Sequence, residues 1–201
     1  MPTTRRSANR KQQILLEATR LFSSRGYEGT SVRVIARACG ITEAAIYRHY
    51  KSKAHLYDEV ILDKARRHGI REHLDAAETP GPVADVLDMV ARHILSMAEK
   101  DPELMRLMFY NSLEMGEGAA TLFREIRLPF IEFLAEELKR LMTAREIRDV
   151  EPYITSRCFV GMVMDCALNT EVWSKVSQVD FSADSVVCNN VPIFARGLAV
   201  E

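Results

Sequence analysis

The sequence predicts an all-α fold of about nine helices, with a small N-terminal group carrying a helix-turn-helix and a larger C-terminal helical body. Three observations predict it. Apolar residues recur at helical spacing along most of the chain. No run of Val, Ile and Thr alternates with polar residues between turn signals, so no strand is expected. The stretch Thr30–Tyr57, TSVRVIARACGITEAAIYRHYKSKAHLY, reads as two short helices around a glycine and a third opened by Ser52 and Lys53.

The first helix spans about Asn9 to Ser24, with Ile14, Leu15, Ala18, Leu21 and Phe22 as its apolar stripe and Gly26 as its C-terminal cap. The second is about Ser31 to Ala38 and the third about Thr42 to Tyr50. A fourth runs from Ser52 to about His73. The break ETPGP at Glu78–Pro82 separates it from a fifth, about Val83 to Glu99. Asp101-Pro102 opens the sixth, with proline where its missing N–H is harmless, and Gly116 and Gly118 close it. The seventh runs from about Ala119 to Thr143, and Pro129 inside it predicts a kink. The eighth spans about Glu151 to Ser174. The ninth spans about Ser182 to Leu198 and is expected to be interrupted near Asn189, Asn190 and Pro192.

Composition narrows the class. The 201 residues are 47% hydrophobic, enough for a sizeable core. No apolar run approaches the length of a membrane span, and MPTTRRSANRKQQ lacks the apolar centre of a secretory signal, so the expected compartment is the cytoplasm. Cys39, Cys158, Cys166 and Cys188 form neither a CxxC pair nor a zinc spacing and read as small apolar side chains. Net charge is −1, but residues 1–71 carry 15 Lys and Arg against 6 Asp and Glu, while residues 72–201 carry 12 against 22. A basic head on an acidic body suits a nucleic-acid-binding module with a soluble regulatory partner. The five histidines form no HExxH, and no Gly-rich phosphate loop or GxSxG occurs, so no enzyme, cofactor or metal site is expected.

A helix-turn-helix needs two short helices crossing steeply at a tight turn. Gly40 suits the turn because a left-handed backbone costs glycine little. Val34, Ile35 and Ala38 are expected to form the inner face of the second helix, with small Ala36 allowing close approach and Ile41 and Ile46 packing against it. Thr42 is placed to cap the third helix. That helix then turns Thr42, Glu43, Ala44, Ala45, Tyr47 and Arg48 outward. The first residues of such a helix reach base edges in the major groove. Glu43 can accept from a cytosine amino group, and Ala44 or Ala45 can touch a thymine methyl. Glu43 equally suits a helix N-terminus on charge grounds, and both readings stand. Tyr47, His49 and Lys53 read as phosphate contacts. Arg5, Arg6, Arg10 and Lys11 form a basic arm, either a minor-groove or phosphate contact or a solvated tail.

These residues resemble the DNA-binding domain of the TetR/AcrR family of bacterial transcriptional regulators. The resemblance rests on Ala18 and Phe22, Gly26-Tyr27, Thr30-Ser31, Ile35-Ala36, Gly40-Ile41, Ala45-Ile46-Tyr47, His49-Tyr50, Ser52-Lys53 and Leu56. It covers the first quarter of the chain; the family more often has Phe where Tyr50 stands. It implies a DNA-binding domain over residues 1–55 and an effector-binding and dimerisation domain over 56–201. It also implies a homodimer that binds a palindromic operator, usually as a repressor, and releases it when a small molecule binds. DNA contacts carried over by position are Ser31, Arg33, Thr42, Glu43, Ala45, Tyr47, His49 and Lys53.

In the body, Tyr153–Trp173 is apolar on almost every face, which predicts a helix covered on all sides, in part by a second copy. Expected dimer residues are Phe159, Val163, Val187, Val191, Phe194 and Leu198. Met105, Met108, Phe109, Phe123, Phe130, Phe133, Met162 and Trp173 read either as plain core or as the lining of an adaptable pocket for an apolar or amphipathic effector. Asp165 is expected to be buried, and thus paired with an arginine such as Arg106, Arg124 or Arg127 or bound to a polar ligand group. Asn169 and Thr170 are further polar positions. A DNA binder controlled by a protein partner, with no cavity, is the competing reading.

Overall fold

Every regular element among the described residues is helical. The computed structural model describes residues 3–76, 81–114, 118–168 and 181–200, with side chains from Asn9 onward. Part of the Glu78–Pro82 break, Gly116, Asn169, Thr170 and Trp173 lie outside the described residues, as do the side chains of Arg5 and Arg6. Helices are α1 (Thr3–Arg25), α2 (Val32–Ala38), α3 (Glu43–Tyr47), α4 (Lys53–His68) and α5 (Ile70–Asp75). They continue with α6 (Val83–Lys100), α7 (Pro102–Glu114), α8 (Ala119–Leu122), α9 (Leu128–Thr143), α10 (Pro152–Leu168) and α11 (Ala183–Leu198). None of them is long and apolar enough to cross a membrane.

These segments are the nine expected helices with two of them divided. The fourth does not run to His73. Gly69 adopts a left-handed conformation (φ +54°) and separates α4 from α5. The seventh is α8, a π segment at Phe123–Arg127, and α9. Pro129 has no N–H to offer the Glu125 carbonyl and its ring crowds that group, so the ladder widens just upstream. Two expectations fail. α1 begins at Thr3, six residues before Asn9. α11 runs unbroken through Pro192. Pro192 and Cys188, whose carbonyl loses its helical donor, both lie on the exposed side, where water can serve that carbonyl.

The chain divides into two compact units, residues 1–67 with 106–125, and residues 68–105 with 126–201. In the first, Ile14, Ala18, Phe22, Ile35, Ile46, Tyr50, Leu56 and Tyr57 are buried. In the second, α6 packs on α9, α10 and α11. Its Val86, Val90 and Ile94 recur every fourth residue and meet a core that includes Phe130, Leu134, Leu138, Phe159 and Val163. Each such fully buried side chain contributes about 1.5–3 kcal/mol of transfer free energy.

Within the single chain α10 is covered on one side only. Ser156, Phe159, Val160, Val163, Met164 and Ala167 face inward. Tyr153, Ile154, Arg157, Cys158 and Asp165 form an exposed stripe. Asp165 is therefore not a buried acid, because it falls on the side of α10 away from the α6 and α9 packing.

Candidate nucleic-acid interface

The interface begins with how α3 is held. The α1 C-terminus closes on Gly26 (φ +72°), whose N–H donates to Phe22 O at 3.0 Å. Thr30, fully buried, donates its hydroxyl to Gly26 O (2.9 Å) and Leu21 O (3.2 Å), folding the turn back on α1. Ser31 Oγ accepts from Val34 N–H at the start of α2. At its end, Gly40 (φ +64°) donates to Arg37 O and Ile41 to Ala36 O, the bond pair of a Schellman motif. Thr42 Oγ1 then accepts from Ala45 N–H and starts α3.

Packing fixes the rotation of α3. Ile46 is fully buried, as is Ile35 on α2. The inner face of α2 uses Val32, Ile35 and Ala36; Ala38, expected inside, is exposed. The helical period brings Val32 to Ile35 and Ala36, while Ala38 lies round the cylinder. Tyr50 is buried and donates its hydroxyl to Lys11 O at 3.2 Å. Burial and the nearby Glu59 and Asp63 carboxylates push its pKa up to about 12, so it remains a donor.

With that face buried, Ser31, Arg33, Thr42, Glu43, Ala44, Tyr47 and Arg48 are exposed, and Ala45 and His49 half-exposed. Tyr47 exposes half its surface. Arg33 and Arg37 flank a surface hollow on α2. Lys53 is half-buried, its ammonium 3.9 Å from the centroid of the Tyr27 ring. A cation in the first turn of α4, where the helix field opposes it, thus has a π face beside it.

A second set of contacts in this unit has no local signature in the sequence. Glu114 of α7 accepts from Tyr27 N–H at 2.9 Å and Glu28 N–H at 3.3 Å, bracing the turn between α1 and α2. Tyr110 donates to Ser24 O, and Asn111 to the Tyr57 hydroxyl at 3.2 Å. Tyr57 is enclosed by Phe22 (4.9 Å, edge-on), Tyr27 (5.2 Å) and Gly118.

The residues expected at an effector site divide between the units. Met108 is buried and Phe109 and Phe123 half-buried in the first; in the second Met105 and Phe130 are buried, and Phe133 and Met162 half-buried. Among the expected dimer residues, Phe159, Val163, Val187, Val191 and Leu198 are buried within the single chain, and Phe194 packs edge-on to Phe159 at 5.0 Å. They line the inside of the α10–α11 pair. The outward face is made instead by Tyr153, Ile154 and Cys158 with Cys188, Pro192 and Ile193. The second unit also has an open groove of about 580 Å3 lined by His68, His73, Asp88, Arg92, His93 and Lys100. There His68 meets Asp101 at 3.0 Å, and the His93 ring meets His73 (4.4 Å) and Phe130 (5.2 Å) in edge-on contacts. No group of three or more His, Cys, Asp or Glu among the described residues is arranged to hold a metal ion.

Comparison with known proteins agrees with this geometry. The pattern of the bacterial regulatory proteins of the tetR family matches residues 14–60. The chain is 31% identical over 148 residues to the HTH-type transcriptional regulator AcrR of Shigella flexneri, covering 71% of this chain and 69% of that one. It is 27% identical to the nucleoid occlusion factor SlmA of Pasteurella multocida, over 78% of this chain and 82% of that one. Among solved structures, AibR in complex with isovaleryl coenzyme A and operator DNA superposes with a TM-score of 0.69 at 24% identity, over 92% of this chain and 97% of that one.

Proposed function

Because this chain belongs to the TetR family of bacterial regulatory proteins, DNA-binding transcriptional regulators and not enzymes, we propose that it is a ligand-responsive repressor. In this reading it binds a palindromic operator in the cytoplasm as a homodimer and releases it when a small amphipathic effector binds. The supporting observation is the exposed start of α3, with Thr42, Glu43, Ala44, Tyr47 and Arg48 outward while Ile46 and the Thr42 cap fix its rotation. Ser31, Arg33, Ala45, His49 and Lys53 complete the contact set, with Arg33 and Lys53 on phosphates and the first turn of α3 on base edges. Residues 1–55 act as the DNA head and 56–201 as the regulatory part. The two copies meet through the outward α10–α11 stripe, whose Ile154 and Ile193 are each 61% exposed. The effector binds in the second unit near Met105, Phe130, Phe133 and Met162. It acts by binding the DNA-free form more tightly than the operator-bound form.

Selection from random duplex DNA at about 0.15 M salt tests the reading. An enriched palindrome bound two chains at a time supports it. Weak, salt-sensitive binding with no enriched site sinks it. A second reading, a DNA binder governed by a macromolecular partner, is favoured by the relatives named as nucleoid occlusion factors and by the close burial of Met105 and Phe130. It predicts operator binding that ignores every small amphiphile.

A further inference from the structure

Arg127 ends the π segment that precedes α9, and its Nε is buried with no acceptor among the described residues. Buried guanidinium nitrogens are almost always satisfied, so such an atom calls for an explanation. An acid was expected for an arginine here from Asp165, but Asp165 is exposed. Among the described residues no acid is seen to offset the charge; burial, and then the positive charge of Arg157, pull the Arg127 pKa down. Two cations thus face each other where one has lost its water.

The α10 backbone comes close to the guanidinium at Gly161. A Cβ built on Gly161 of α10 would lie 3.9 Å from Arg127 Nη2, the only neighbour within 4 Å among the described residues beyond the α10 backbone. Glycine therefore sets no side chain against the guanidinium. Arg157 lies one turn earlier on the same face of α10. π turns inside α-helices occur often at functional sites, because the widened ladder redirects side chains.

We propose that Arg127 anchors the anionic group of the effector, a carboxylate or phosphate, so that the effector is an amphipathic acid and not a neutral apolar compound. The inference rests on the effector reading given above and assigns that site its chemistry. Arg127 supplies a planar fork of donors suited to such a group, and Arg157 adds positive charge. Phe133, half-buried and within two turns on α9, provides apolar surface for the rest of the molecule.

The test uses the full chain and three probes of equal tail length, below their micellar concentrations: dodecanoate, dodecyl phosphate and neutral dodecanol. Calorimetric titration is expected to show at least one acid binding about tenfold or more tighter than the alcohol. The tighter acid identifies the anionic group. Arg127→Met should remove the preference and Arg127→Lys should keep part of it. Equal binding of acids and alcohol, or a preference that survives Arg127→Met, overturns the anchor and leaves the amphipathic effector standing. Binding of none of the three counts against both. The melting temperature of ligand-free Arg127→Met is an independent readout. Removal of a half-buried cation whose Nε has no acceptor among the described residues should raise it by about 2–4 °C. A fall, or loss of the dimer, would mean that Arg127 pairs with an acid of the second copy and would overturn the proposal.

Discussion

Glu114 accepts a hydrogen bond from the Tyr27 backbone N–H at 2.9 Å across 87 residues of chain. One carboxylate of α7 thereby closes the turn from which the helix-turn-helix departs, and its other oxygen takes the Glu28 N–H. The same oxygen lies where a Cβ at Gly26 would go.

Glu114→Ala should lower stability by about 1–3 kcal/mol, since two N–H donors lose a charged acceptor. Glu114→Gln should cost less, because the amide oxygen still accepts one bond. Gly26→Ala should be at least as costly as Glu114→Ala, combining positive φ with the encroachment on Glu114. In a Glu114→Ala background it should lose the second part of that cost. Urea midpoints of the four variants check this, and strict additivity would contradict the shared contact.

Arg33→Ala should weaken operator binding about uniformly across DNA sequences and reduce the slope of log K against log salt by about one. Tyr47→Phe should weaken binding without altering stability, since Tyr47 is half-exposed. Anisotropy titrations at several salt concentrations separate the two effects. An unchanged salt slope in Arg33→Ala would remove that residue from the phosphate contacts.

The head was readable in the sequence because its determinants are local. The Ser31 and Thr42 caps and the Gly40 turn each act within five residues, so spacing alone exposes them. Other features depend on distant partners or on backbone conformation. Glu114 gives no sign of its role in its own neighbourhood. The break at Gly69 sits inside an otherwise periodic helix, so only its backbone conformation reveals it. Val187 and Leu198 are apolar whether their cover is this chain or another, and periodicity does not say which. Asp165 was placed inside by the apolar character of its neighbours, although its own position on the helix turns it outward.

Ile154→Glu with Ile193→Glu should convert a dimer to monomer while leaving the fold intact, since both side chains are exposed in the single chain. Sedimentation and circular dichroism read the two properties independently. A dimer that survives both charges would place the pairing surface elsewhere.

His93 should make the protein acid-sensitive. Burial first, then the charges of His73, His68 and Lys100, lower its pKa from 6.5 to about 4. Phe130 covers the ring on the α9 side. The folded-state pKa lies below the unfolded one, so the neutral ring contributes stability above about pH 6.5 that is lost as pH falls towards 4. Allowing for its half-buried position, the loss is on the order of 2 kcal/mol. His93→Asn should flatten the dependence of the urea midpoint between those pH values, and a slope unchanged from wild type would contradict it.

The central claim is that two copies of α3 are presented to DNA by one symmetric pair. Hydroxyl-radical footprinting on a selected operator tests it most directly. The expected result is two protected half-sites related by a twofold centre and spaced about one helical turn or somewhat more, both lost together in the Ile154→Glu, Ile193→Glu variant. A single protected half-site, or a paired footprint that persists in the monomeric variant, would contradict it.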